Sequence, residues 1–188
     1  MEFIHPFIKE LEPSQLEELR QSILYKKVKK GTVLQLQGDI NIKSYFVKKG
    51  LLRSYTIDEK GKEHVFMFAP EGWIISDMES HSKGLPAQLY IDVLEDSELE
   101  IVEKTILEKL TKLKNTEYFD KHNSLLINRI IVLQKRVILL MSATAKERYE
   151  DFLSTYPNII QRVPQKLIAS YLGITPEALS KIRGQLTK

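Results

Sequence analysis

Residues 164–186 predict two short helices that cross at a tight turn, which fixes how this end of the chain must pack. Pro164 suits the opening of the first helix, because a missing backbone N–H costs little there. Ile168 and Leu172 are four residues apart and give that helix one apolar face. Gly173 follows, where a glycine can end the helix in the left-handed conformation.

The second helix is predicted to begin directly after the turn. Thr175 is a favourable N-cap and Pro176 a favourable first helical residue. Leu179, Ile182 and Leu186 then form an apolar stripe that faces the first helix. This is the pattern of a helix-turn-helix, whose second helix enters the major groove of DNA in many proteins. The alternative is a helical pair that packs in the same way without binding DNA.

The polar residues of this segment are of the types that contact DNA. A carboxylate accepts a hydrogen bond from cytosine N4 and an ammonium donates to guanine, so Glu177 and Lys181 are the predicted base readers. Hydroxyl groups, basic side chains and a helix N-terminus suit phosphate oxygens. The predicted DNA-binding residues are Lys166, Thr175, Glu177, Ser180, Lys181, Arg183 and Lys188.

Positive charge is concentrated in the same region. Residues 162–188 contain five basic side chains and one acidic side chain, whereas the rest of the chain has a net charge of −1. A basic module on a nearly neutral body favours an anionic partner. A solvated basic surface without a partner remains the alternative.

The sequence between Val28 and Val102 has the pattern of short strands separated by turns. An earlier segment, Pro13 to Leu24, predicts a helix. Spacing of about ten residues between β-branched and aromatic runs is typical of a sandwich or roll. The predicted strands are Thr32–Gln37, Ser44–Val47, Leu51–Ile57, His64–Phe68, Leu89–Leu94 and Glu98–Val102.

The longest periodic segment, about Tyr118 to Met141, predicts a long helix. A heptad seam on it consists of Leu126, Ile130, Leu133, Val137 and Leu140. A second apolar set, Ile127, Ile131 and Ile138, lies beside this seam. One set can cover the strand region, and the other needs a partner, for which a second copy of the helix is the simplest choice. A core helix in a monomer is the alternative.

The chain lacks the residues that several classes of function require. The chain has no cysteine, which excludes thiolate chemistry and Cys-held metal or iron–sulfur sites. Its four histidines are scattered, no nucleotide or nucleophile motif is present, and Asp92, Glu95 and Asp96 are predicted on a solvated turn. We therefore expect no enzyme and no metal. Without a signal peptide or an apolar run of about 20 residues, we expect a cytoplasmic protein that does not enter a membrane.

The order of these segments resembles the Crp/Fnr family of transcription regulators. The likeness is carried by Lys30–Leu34, by Val47–Arg53, and by the long helix followed by the helix-turn-helix. It implies an α+β chain with an N-terminal double-stranded β-helix, a jelly-roll-like β-roll of the cyclic-nucleotide-binding type, over residues 1–115. It also implies a dimerisation helix over 116–143 and a C-terminal winged helix-turn-helix over 144–188 with a short or missing wing.

The resemblance implies a homodimer that binds double-stranded DNA at a nearly palindromic site and contacts RNA polymerase if it activates transcription. Glu177 and Lys181 stand where the family has its glutamate and basic reader. Pro176 stands where many members have an arginine, so one usual DNA contact is expected to be absent. The alternatives are a ligand-sensing adaptor that binds no DNA and a cupin-like enzyme.

The sequence departs from the family at the effector site. Cyclic-nucleotide sites of the family use an arginine for the phosphate, but no arginine occurs here between Arg53 and Arg129. Without that bidentate donor we expect no tight binding of cyclic AMP in the usual way. The identity of any effector is unknown. Candidate pocket residues are Glu71, Trp73, Asp77, Gln88 and Tyr90; the alternative is that they only pack the roll.

Overall fold

The computed structural model describes residues 12–40, 42–103 and 116–186. The chain divides into two compact units. The first falls within residues 1–56 and 66–119, and the second within residues 57–65 and 120–188. The tip of one hairpin thus belongs to the same unit as the C-terminal helices.

The first unit is a roll of two four-stranded sheets. One sheet has the order β1-β8-β3-β6 and the other the order β2-β7-β4-β5. Strand β8 pairs antiparallel with both β1 and β3, and β7 pairs antiparallel with both β2 and β4. The elements are α1 (Pro13–Ser22), β1 (Leu24–Val28), β2 (Val33–Gln35), β3 (Lys43–Lys49), β4 (Leu52–Ile57), β5 (Glu63–Ala69), β6 (Ile74–Ile75), α2 (Met78–Lys83), β7 (Tyr90–Val93) and β8 (Ser97–Glu103).

Alternate residues of these strands form the core of the roll. Val47, Leu52, Ile75, Ile91 and Leu99 are fully buried in one apolar cluster. Because successive side chains of a strand point to opposite faces, each strand contributes every second residue to this cluster. The predicted α+β fold with an antiparallel roll is confirmed.

The N-terminal boundary of the roll differs from the prediction. Helix α1 ends at Ser22, and Leu24–Val28 forms β1, which pairs with β8 from Leu24↔Ile101 to Val28↔Ser97. The predicted helix as far as Leu24 is therefore wrong at its end, because pairing with β8 outweighs the local apolar spacing. The two-residue strand β6 and the six-residue helix α2 were not predicted.

The second unit is helical apart from the hairpin tip. Its helices are α3 (Thr116–Ser142), which starts within the first unit, α4 (Ala145–Thr155), α5 (Gln165–Leu172) and α6 (Pro176–Leu186). Thr144 opens α4 in a capping box with Glu147. An aromatic cluster packs its interior: the ring of Phe152 lies 5.3 Å from Tyr156 and 5.4 Å from Tyr171, centroid to centroid. None of the helices in the described ranges has the length and apolarity needed to cross a bilayer.

Candidate nucleic-acid interface

Helices α5 and α6 form the predicted pair with a glycine at the turn. Gly173 has φ 66°, and its N–H bonds to the carbonyl oxygens of the last turn of α5. Thr175 Oγ1 accepts a hydrogen bond from the Ala178 N–H at 3.2 Å, which caps α6. The prediction for Pro164 is off by one position: it is the N-cap residue, and α5 begins at Gln165.

The two helices bury their facing apolar residues. Leu179 is fully buried, and Ile168, Leu172 and Ile182 are exposed by 1%, 2% and 8%. Leu186, by contrast, is 42% exposed at the end of α6, so the predicted stripe is one residue shorter than expected. Burial of the stripe fixes which side of α6 faces outward.

The outward side of α6 presents the predicted base readers. Glu177, Ser180 and Lys181 are all exposed, as is Thr175 at the start of the helix. Lys166 is exposed on α5, whereas Arg183 is half-buried. Lys188 lies outside the described residues. Six of the seven predicted DNA-binding residues therefore lie in the described helix pair or its turn, five of them exposed.

The Glu177 side chain is held at the helix start. Hydrogen bonds from its own backbone N–H and from the Thr175 hydroxyl lower the pKa of Glu177. Both favour the charged carboxylate, as does the positive end of the helix dipole. Glu177 is thus an acceptor on the outer surface at neutral pH. Thr175 both caps the helix and orients this carboxylate.

Helix α3 carries an exposed apolar surface. Of the predicted seam, Ile130, Leu133, Val137 and Leu140 are between 36% and 62% exposed, and the side chain of Leu126 lies outside the described residues. The second set, Ile127, Ile131 and Ile138, is exposed by 53% to 55%. The expectation that one set covers the strand region stays a prediction. Contiguous apolar surface of this kind marks an association site in many proteins.

Asp77, one of the predicted effector residues, forms hydrogen bonds within the roll itself. It is 3% exposed and caps α2, where Oδ1 accepts from the Ser80 N–H at 3.3 Å. Its Oδ2 accepts from the N–H groups of Gln88 and Leu89 at 2.7 and 2.9 Å. The Gln88 amide in turn donates to Glu79 Oε2 at 2.8 Å. Asp77 and Gln88 are thus brought together, but their polar groups are engaged with each other and with neighbouring residues of the roll.

The other three candidates make separate contacts. Glu71 Oε1 accepts a hydrogen bond from the Gly50 N–H at 2.9 Å. Trp73 is half-buried against the core cluster. The ring of Tyr90 stacks on Tyr55 with centroids 5.2 Å apart. These contacts match the alternative stated above, in which the residues pack the roll.

A buried ion pair, which the sequence did not reveal, lies in the second sheet. Arg53 and Asp92 are direct partners across β4 and β7, and Arg53 donates to both Asp92 oxygens at 2.8 Å. The guanidinium also lies 4.0 Å from the centre of the Tyr55 ring. Asp92 was predicted on a solvated turn; it is instead a mostly buried strand residue, because its charge is paired. The pair could not be predicted because the sequence alone does not give the register between β4 and β7.

Acidic and histidine side chains do not gather into a metal site in the described ranges. Arg53, Asp77 and Gln88 bond within the roll, whereas Glu177, Ser180 and Lys181 of α6 are exposed. This contrast defines α6, its capping turn and Lys166 as the candidate interface.

Comparison with known proteins agrees with this geometry. No protein-family model matches the chain. It is 28% identical to electron transport regulator A of Shewanella oneidensis over 195 residues, which covers 95% of this chain and 75% of that protein. FixK2 from Bradyrhizobium japonicum superposes with a TM-score of 0.73 at 21% identity, over 88% of this chain and 84% of that one.

A second solved structure carries a family name. A protein from Eubacterium rectale assigned to the Crp/Fnr family of transcriptional regulators superposes with a TM-score of 0.71. It is 19% identical and matches 94% of this chain and 84% of its own. The chain is thus similar to a named regulator along 95% of its length, and it shares the fold of a structure assigned to the Crp/Fnr family.

Proposed function

We propose that the protein is a homodimeric transcription regulator that inserts α6 into the major groove of double-stranded DNA. The observation that carries this proposal is the two-sided character of α6: Leu179 and Ile182 are buried, while Glu177, Ser180 and Lys181 are exposed. A helix with a fixed inner face and a polar outer face at a helix-turn-helix is the arrangement that reads base edges.

Each side chain has a distinct role in this proposal. Glu177 accepts from cytosine N4 and Lys181 donates to guanine O6 and N7. Ser180, at the centre of the exposed face, contacts a base edge or the adjacent backbone. Phosphate oxygens are bound by Thr175, Lys166, Arg183 and Lys188, which position the helix without reading sequence.

The dimer is supported by the exposed apolar residues of α3. Pairing α3 with a second copy across a two-fold axis removes Ile130, Leu133 and Val137 from water in both subunits at once. A symmetric dimer presents two copies of α6, and recognition helices about 34 Å apart match one turn of B-DNA. The target site is then nearly palindromic. In this scheme residues 1–115 form the roll, 116–143 the dimer helix and 144–188 the DNA-binding part.

The partners follow from this role. A regulator bound to DNA works in the cytoplasm, and it contacts RNA polymerase if it activates transcription. The relatives bear the names of regulators, which favours this role over a cupin-like enzyme. A ligand-sensing adaptor is distinguished by its lack of DNA binding.

The direct test is an electrophoretic mobility shift with duplexes of random sequence, repeated over a salt series. The logarithm of the binding constant should fall with the logarithm of salt concentration by about 0.9 for each phosphate contact. The absence of any shift at low salt would remove the proposal and leave the adaptor. A shift that does not change with salt would also contradict it.

We also propose that cyclic AMP is not an effector bound through an arginine. This is supported by the engagement of Arg53 with Asp92 and of Asp77 with three backbone N–H groups. The single tryptophan, Trp73, is itself one of the candidate pocket residues and serves as a fluorescent reporter. Millimolar cyclic AMP should change neither its fluorescence nor DNA affinity. A saturable change in both signals would overturn this part of the proposal.

A further inference from the structure

One hydroxyl group joins the helix-turn-helix to the hairpin that β4 and β5 form. Ser170 Oγ, on α5, donates to the Glu63 carbonyl oxygen at 2.8 Å and accepts from the Val65 N–H at 2.9 Å. Both backbone groups belong to β5, and they are groups that would otherwise bond to a neighbouring strand. The side chain of Ser170 therefore takes the place of a strand at this edge. All three residues belong to the second compact unit.

Arg136 makes the same connection from α3. Its Nη2 donates to the carbonyl oxygens of Val65 and Tyr171, both at 3.1 Å. The guanidinium also lies 3.9 Å from the centre of the Tyr171 ring. Tyr171 is in the last turn of α5, where carbonyl groups have no partner inside the helix. Arg136 thus caps the C-terminal end of α5 while holding the hairpin.

We propose that Arg136 and Ser170 are positioning residues for DNA binding. Together with Val65 and Tyr171 they form what we call the hairpin latch. The latch fixes α5 to α3 and to the hairpin. Because α6 packs on α5 through buried residues, it also fixes the direction in which the exposed side of α6 points. The inference rests on the proposed function, since it assigns the latch a role in presenting α6 to DNA.

The latch matters most when two recognition helices must bind together. Each copy of α6 has to meet its half-site at a separation set by the DNA helix. Arg136 lies on α3, the proposed dimer helix, so the latch ties each α5–α6 pair to the dimer axis. Loosening it should leave each pair able to bind one half-site but less able to bind two at a fixed spacing.

Replacement of Ser170 separates positioning from folding. Alanine favours a helix more than serine does, so Ser170→Ala does not weaken α5 itself. It removes only the hydroxyl, leaving the Val65 N–H and the Glu63 carbonyl without this partner. Ser170→Thr keeps a hydroxyl and is the rescue variant. Ser154→Ala, at an exposed position of α4, is the matched control.

The experiment measures affinity for three duplexes with the intact protein. The first is a palindromic duplex selected by the wild type. The second is the same duplex with the separation between its half-sites increased by five base pairs. The third contains one half-site. Ser170→Ala should weaken binding to the first by about five- to tenfold, the loss expected for one or two hydrogen bonds. Affinity for the single half-site should stay within twofold, and exchange of the Val65 amide should accelerate. Ser170→Thr should restore most of the affinity, and Ser154→Ala should match the wild type.

Three results would overturn the latch. They are unchanged affinity of Ser170→Ala for the palindrome, an equal loss on the single half-site, and an equal loss in Ser154→Ala. A wild type that binds none of the duplexes would instead defeat the proposed function itself. The two failures are therefore distinguishable in one set of measurements.

Discussion

The roll and the helix-turn-helix use their polar side chains in opposite ways. In the roll, Arg53 and Asp77 are buried, and their charges are satisfied by groups of the same unit. On α6, Glu177 and Lys181 lie on the surface. A buried charge is tolerated only with its partners in place, so it is costly to reuse for a ligand. Exposed charges can meet a partner at little cost. The charged groups of Arg53 and Asp77 are thus already engaged within the roll, whereas those of α6 are available to a partner.

The largest effect should come from breaking the ion pair of the roll. Arg53→Ala leaves the Asp92 carboxylate in a mostly buried position without its bidentate partner. The free energy of unfolding should fall by about 3 to 5 kcal/mol, measured by urea denaturation. Lys29→Ala is the control: it breaks an exposed pair with Asp96, which solvent screens, and should leave the free energy of unfolding nearly unchanged. Equal losses in both variants would contradict the contrast between buried and exposed charges.

The next effect tests whether Asp77 is a structural residue. Asp77→Ala removes the acceptor of the Ser80, Gln88 and Leu89 N–H groups. We expect a loss of about 2 to 3 kcal/mol in unfolding free energy, because buried donors are left without partners. DNA affinity of the folded fraction should not change. If the variant instead keeps its stability and acquires or loses a ligand response, Asp77 belongs to an effector site.

The corresponding change on α6 should leave stability alone and alter recognition. Lys181→Ala should weaken binding to the selected site by about 1 to 3 kcal/mol and relax base preference at one position. Lys166→Ala should weaken all sequences alike and reduce the salt slope by about 1. Competition binding with single-base variants of the site distinguishes the two patterns. Sequence-independent losses from both variants would rule out Lys181 as a reader.

The smallest effect concerns the titration of Glu177. Its pKa is lowered in the folded protein, so the associated stabilisation is complete above the pH at which the unfolded carboxyl titrates. It is lost as pH falls through the lower folded pKa. Thr175→Val removes the hydroxyl that donates to this carboxylate, and the pKa of Glu177 should rise toward its ordinary value. NMR titration of the side-chain carboxyl carbon measures this shift. An unchanged pKa would mean that Thr175 does not orient Glu177.

The sequence predicted the parts that depend on local spacing. Gly173, Thr175 and the buried stripe of α6 follow from helix caps and periodicity, and most strands follow from alternation. It missed what depends on pairing over long distances. The strand Leu24–Val28 exists because β8 lies beside it, and the pairing of Arg53 with Asp92 depends on a register between strands that are distant in sequence. The hairpin latch was missed for the same reason, since Ser170 and Val65 are separated by 105 residues.

Selection from a library of random duplexes tests the central claim most directly, because it asks the intact protein which sequences α6 reads. The account predicts enrichment of an inverted repeat whose half-sites are about one helical turn apart. The same selection with Lys181→Ala should yield a repeat that is degenerate at one position of each half-site. Recovery of no enriched sequence, or of identical sequences with both proteins, would contradict the assignment of α6 as the recognition helix.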